Sequence, residues 1–132
     1  MLAILASVKP EWWEKILTGE KRLEVRKTAP RSTPERPIEW PLPVLVYVSG
    51  TGAVQGRFKM PGYVKTNYMP YLAPASCVPL PALEKYADGG SLYGWGVQDP
   101  VKYETPALLA EFGLTRPPMS WQYVEIPDDA EV

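Results

Sequence analysis

The 132-residue chain contains no histidine and one cysteine, Cys77. Without imidazole, Ser-His-Asp and Cys-His nucleophiles, HExxH zinc sites and histidine proton shuttles are excluded. A single thiol allows neither an intramolecular disulfide nor a CxxC metal clip, and it fits a reducing compartment. Any catalysis therefore falls to Lys, Glu, Asp, Tyr, Ser, Thr or Arg, and neither a metal nor a cofactor is expected. No stretch approaches the ~18 uncharged apolar residues of a membrane-spanning helix. Leu2–Val8 is apolar but lacks a basic flank and a cleavage site, so it does not read as a signal peptide. The expectation is a cytoplasmic protein with no membrane partner.

Proline, by contrast, is abundant: 16 residues, with 5 Trp and 8 Tyr. High proline can signal disorder, but 45% of the residues are hydrophobic, enough for a packed core. The length predicts one domain spanning residues 1–132 that needs no disulfide or metal staple. The net charge is −1 but unevenly spread. Residues 1–66 hold 11 basic and 6 acidic side chains, and residues 67–132 hold 3 and 9. A near-neutral chain does not coat polyanions by its bulk field, but a local basic patch can dock one nucleotide or a short strand.

Leu2, Ile4, Ala6 and Val8 alternate as a buried strand. Pro10 and Glu11 suit a helix start, Trp12, Trp13, Ile16 and Leu17 fall at helical spacing, and Gly19 ends the helix. Lys21–Lys27 alternates again, with Leu23 and Val25 on one side and Arg22, Glu24 and Arg26 on the other. Five prolines stiffen residues 28–43. Val44–Val48 reads as a strand covered on both faces, joined by the turn 49–52 to a strand over 53–60. Residues 61–80 show no period. A short helix is expected over 81–86, strands over 92–97 and 101–103, a helix capped by Thr105 and opened by Pro106, and a strand over 121–126. Asp128, Asp129 and Glu131 form an acidic tail, expected to fray over 128–132. The sum is an α+β fold: a small, partly closed β-barrel of five to six strands with short helices over its openings.

The chemistry concentrates in Gly19-Glu20-Lys21-Arg22-Leu23-Glu24-Val25-Arg26. Alternating charge on an edge strand can be plain solvated surface. Alternatively, Lys21, Glu24 and Arg26 surround a cleft. Lys21 and Arg26 would then hold phosphate or carbonyl oxygens, and Glu24 would accept from an exocyclic amine or act as a base. Tyr93, Trp95 and Trp121 either stack a base or belong to the core. Trp12 and Trp13 share the helix stripe with Ile16 and Leu17 and read as core; both cannot point fully inward, so a cleft rim is the alternative place for one of them. Ser120 either donates to a ligand or stabilises a turn. Ser49–Gly52 lacks a P-loop pattern and reads as a hairpin turn, and Cys77 reads as structural.

The segment SVKPEWWEKILTGEKRLEVRK resembles the start of ASCH domains, in the PUA-like superfamily of RNA-associated β-barrels. The family's GxKxxExR motif is matched by Gly19, Lys21, Glu24 and Arg26. YGWGVQDPVKYETPALLAEFGLTRPPMSWQYVE is similar to the C-terminal half of a bacterial and phage ASCH-like group. The resemblance implies a PUA-like barrel whose cleft, lined by the motif residues Lys21, Glu24 and Arg26, receives RNA or a nucleotide-like molecule; Tyr93, Trp95, Ser120 and Trp121 complete the candidate ligand-binding residues. One subgroup hydrolyses acylated cytidine nucleosides through a Lys followed three residues later by Thr; here that position is Glu24, which removes the hydroxyl. Another subgroup cleaves RNA. The alternative expectation is therefore a hydrolase acting on an acylated nucleoside or an RNA phosphodiester, with Lys21 and Glu24 as acid–base pair. A third is a protein-interaction module built on the proline-rich 30–43 loop.

Overall fold

The computed structural model describes residues 1–128. In chain order the elements are β1 (Leu2–Val8), α1 (Pro10–Thr18), β2 (Leu23–Arg26), β3 (Leu42–Val48), β4 (Ala53–Met60), β5 (Tyr63–Thr66), α2 (Met69–Ser76), α3 (Leu80–Ala87), β6 (Leu92–Gly96), β7 (Gln98–Leu108) and β8 (Trp121–Glu125). The fold is α+β. Its first sheet has the order β7-β4-β3-β1-β8, with β1 and β3 parallel and the other pairs antiparallel. The second has the order β2-β6-β5 and is antiparallel.

Apolar alternation on both faces explains why β1 and β3 lie inside the first sheet. Ile4, Ala6 and Val8 face a core cluster shared with Trp13, Ile16, Phe58 and Trp95. Ala3 and Leu5 face a second cluster, covered by Tyr103, Leu109 and Phe112. β3 is buried along its whole length, as its uninterrupted apolar run requires. Helix α1 packs on the first of these faces. Gly19 ends it in the left-handed conformation at φ 84°, its N–H donating to Ile16 O at 3.1 Å.

The structure departs from the sequence expectation in four respects. Among the described residues eight strands form instead of five to six. Two elements, β5 and α2, arise within the aperiodic 61–80 segment; α2 places Pro70 in its first turn and buries Met69 and Leu72 against the second sheet. The helix expected from Thr105 is replaced by strand. β7 runs through Pro106 to Leu108, and only Leu109–Phe112 makes a 3-10 turn. Pairing of Ala107 with Val54 and Leu108 with Ala53 outweighs the local Thr-Pro helix signal, and an edge strand tolerates the missing proline N–H. Among the described residues no ladder joins the two sheets, so strand pairing does not close a barrel. In the expected tail, Asp128 accepts a hydrogen bond from the Met1 amino group at 2.6 Å; residues 129–132 lie outside the described residues.

The second sheet positions the motif. Its back face, with Val25 and Leu92, packs on Leu72 and Leu83 of the two helices. Its front face carries Glu24 and Arg26 on β2, in register with Trp95 and Tyr93 on β6.

Candidate ligand-binding cleft

Three charged side chains are buried among the described residues, Lys21, Glu24 and Arg26, and all three line one cleft of about 440 Å³. Its floor is β2. Its walls are the C-terminal end of β1 with the start of α1, the α2–α3 segment around Val78 and Leu83, and the loop before β8 at Met119 and Ser120. A cavity of about 510 Å³ at the other end of β1, beside Trp40 and Lys59, is lined by none of the buried charges.

Lys21 is only 1% exposed because the turn after Gly19 is tied down on all sides. Its N–H donates to Lys15 O at 3.0 Å, the Arg22 N–H donates to Ala75 O at 2.7 Å, and the Cys77 thiol donates to Glu20 O at 3.3 Å. The Lys21 ammonium donates to Ser76 O at 2.6 Å, at the C-terminal end of α2, where a cation suits the helix dipole. It also lies 4.8 Å from the centroid of the Trp12 ring. One of its three N–H donors is bonded to protein, which leaves two. Burial pushes the Lys21 pKa below the usual lysine value, and the nearby Glu24 carboxylate opposes that fall only in part.

Glu24 Oε1 lies 3.6 Å from Arg26 Nε, while Oε2 is buried with no hydrogen-bond partner. A buried carboxylate oxygen without a donor is costly, and its natural complement is an incoming N–H or O–H. Arg26 is held by protein: Nη1 donates to Ser120 O at 3.0 Å and to Ser120 Oγ at 3.1 Å, and Nη2 donates to Ser7 O at 2.7 Å. Its guanidinium also sits 5.7 Å from the Trp95 ring centroid. Arg26 thus joins β1, β2 and the loop before β8, and orients Glu24 and Ser120.

Of the residues singled out in the sequence, Lys21, Glu24, Arg26 and Ser120 meet at this cleft; Tyr93, Trp95 and Trp121 do not line it. Trp95 is fully buried, its Nε1 donating to Thr28 O at 3.1 Å. Trp121 meets Trp95 edge to face at 5.5 Å and donates to Thr28 Oγ1 at 2.9 Å. Tyr93 packs against Tyr63 at 5.4 Å. The cleft's aromatic side chains are instead Trp12 and Tyr86. Trp12 is the rim member of the tryptophan pair, while Trp13 is core. Tyr86 carried no signal, because nothing in PALEKY says which face of α3 meets β2. Among the described residues, no group of three His, Cys, Asp or Glu side chains is placed to hold a metal ion, and no helix is long and apolar enough to cross a membrane.

No family model and no curated protein matches the chain. Solved structures do. The ASCH protein of Zymomonas mobilis is 17% identical and superposes with a TM-score of 0.75 over 93% of this chain and 87% of its own. Its serine-to-alanine variant gives 15% identity and 0.76, over 93% of this chain and 88% of its own. Its tyrosine-to-phenylalanine variant gives the same identity and score, over 93% and 90%. The fold is that of these ASCH proteins. At this identity the likeness concerns the backbone alone. What the ASCH fold adds here is a frame in which the segment matching GxKxxExR spans the end of α1 and β2, beside the cleft.

Proposed function

We propose that residues 1–132 act as a single cytoplasmic ASCH module whose cleft binds RNA or a nucleotide-like ligand. The observation that carries this reading is the unpartnered Oε2 of Glu24 in a cleft lined by every buried charge among the described residues. Oε2 accepts from the exocyclic amine of a base, the two remaining donors of Lys21 hold a carbonyl or phosphate oxygen, and Trp12 flanks the base. A volume of about 440 Å³ suits one nucleoside unit. Arg26 positions these groups, and its direct contact with ligand is secondary to its three protein bonds. Calorimetric titration with AMP, CMP, GMP and UMP tests this. The expected result is binding of the amine-bearing nucleotides, weaker binding of UMP, and a loss of about tenfold or more for Glu24→Gln, the scale of one charge-assisted hydrogen bond. Failure of all four to bind, or an unaffected Glu24→Gln, would overturn the reading.

A second reading is supported by the depressed pKa of buried Lys21, which suits a proton donor working nearer neutrality. In it the cleft hydrolyses an acylated nucleoside or an RNA phosphodiester. Glu24 takes a proton from the attacking water and Lys21 returns one to the leaving nitrogen or oxygen. Incubating acetylated cytidine and RNA with wild type and Lys21→Ala decides it: equal product from both proteins contradicts these roles.

A further inference from the structure

The cavity of about 510 Å³ at the far end of β1 shares no residue with the cleft. Its walls are apolar and stiff, built from Leu2, Leu42 and three prolines around Trp40. Trp40 is 39% exposed and meets Tyr63, itself 38% exposed, at 6.1 Å between ring centroids. Aromatic surface left open beside a cavity marks a place where something binds. The segment that carries Trp40 is fixed at both ends. Ile38 packs on the core and its N–H donates to Ser32 Oγ at 3.0 Å, and β3 begins at Leu42. Only Glu39, Trp40 and Pro41 lie between these anchors.

Two opposite charges line this apolar frame, Lys59 and Glu39. Lys59 stands opposite Pro43 in the β3–β4 ladder, so the two side chains share a face. Its contact with Asp99, 4.0 Å long between exposed side chains, is too weak to hold the ammonium. Glu39 makes no ion pair among the described residues. The Met1 ammonium is the other charge at the cavity, and it is taken by Ile126 O and Asp128, each at 2.6 Å.

We infer that this cavity is a second small-molecule site, and that its ligand is an aromatic α-amino acid. The ring stacks on Trp40 between the prolines, the carboxylate meets Lys59 and the ammonium meets Glu39. An aromatic acid without the amine leaves Glu39 desolvated and unpaired, and an aromatic amine without the carboxylate does the same to Lys59. One cation and one anion in the lining therefore select the zwitterion over both. The fixed proline frame keeps the cost of ordering the site low.

Calorimetric titration tests this with phenylalanine, tyrosine and tryptophan, and with phenylpropanoate and phenylethylamine as the analogues that each lack one charge. The proteins are wild type, Trp40→Ala, Lys59→Ala and Glu39→Gln, with urea unfolding midpoints to confirm that each is folded. Phenylalanine is expected to bind wild type about tenfold or more tighter than either analogue, the scale of one charge-assisted hydrogen bond. Lys59→Ala should lower phenylalanine affinity to that of phenylethylamine, and Glu39→Gln to that of phenylpropanoate. Trp40→Ala should weaken all of these ligands. Excess CMP should leave phenylalanine binding unchanged, so that this site and the cleft stand or fall separately. The inference is overturned if none of the three amino acids binds wild type, if the analogues bind as tightly as phenylalanine, if Trp40→Ala has no effect, or if CMP competes.

Discussion

Lys21 combines two roles that usually compete. It caps the C-terminal end of α2 through Ser76 O, and it keeps donors for the cleft. Holding the ammonium in a buried place costs stability, because its folded pKa is depressed by desolvation. The sign of the pH dependence follows. Above the ordinary lysine value near 10.5, both folded and unfolded states carry a neutral amine and the cost is absent. As pH falls below that value the unfolded chain takes up a proton before the folded one does, so stability declines until the folded pKa is passed. Wild type should therefore gain stability relative to Lys21→Met as pH rises from 8 towards 10.5, read from urea unfolding midpoints of the two proteins. A difference that stays constant across that window contradicts the depressed pKa. Arg26, beside it, is a clamp, with bonds to Ser120 and Ser7 and an ion pair with Glu24.

Between elements, one close contact of α1 is that of Trp13 with Gly56 of β4. The ring lies over Gly56, where an added Cβ would come within 2.6 Å of Trp13 and also meet the Val101 carbonyl. Gly56→Ala must push the helix, the tryptophan or β7, so the expected cost is about 1–3 kcal/mol, as for overpacked cores. Thermal or urea unfolding measures it, and a neutral effect would show that α1 is not held there. Because α1 also carries Trp12 and ends at Gly19, the shift should reach the cleft wall. The other elements around the site have simpler causes. Helix α1 was legible from Pro10, Gly19 and the aromatic stripe, and β2 from its alternation. In the 61–80 stretch, by contrast, β5 exists because β6 offers it a ladder, and α2 exists because its apolar residues cover that sheet. Neither cause is local, so neither left a period in the sequence.

Across the entire fold, β1 separates two cavities. The cleft sits at Ser7, Val8 and Lys9, and the larger cavity at Met1 and Leu2, about 20 Å apart at the usual strand rise. Lys59 belongs to the far cavity and lies 4.0 Å from Asp99. Lys59→Ala should therefore leave nucleoside monophosphate affinity within about twofold, as expected for sites this far apart. A reduction as large as that of Glu24→Gln would mean that the far cavity takes part in binding. The basic excess of residues 1–66 is not one surface. Part of it, Lys9, Lys21 and Arg26, lines the cleft, and part, with Lys59, lines the cavity at the opposite end of β1.

Some of this was present in the residue order alone. The absence of histidine confined acid–base chemistry to a few residue types, and the spacing of Gly19, Lys21, Glu24 and Arg26 placed three charged groups around one strand, because strand period is a local property. Burial on both faces of β3 was equally visible in its unbroken apolar run. Which groups share the cleft was a matter of long-range packing. Ser120 reaches Arg26 across 94 residues, Tyr86 arrives from α3, and Trp95 and Trp121 turn towards Thr28 and the core. Alternation tells which side chains lie on the same face of a strand, but not whether that face meets solvent, a neighbouring sheet or a ligand. That depends on what the rest of the chain packs against it.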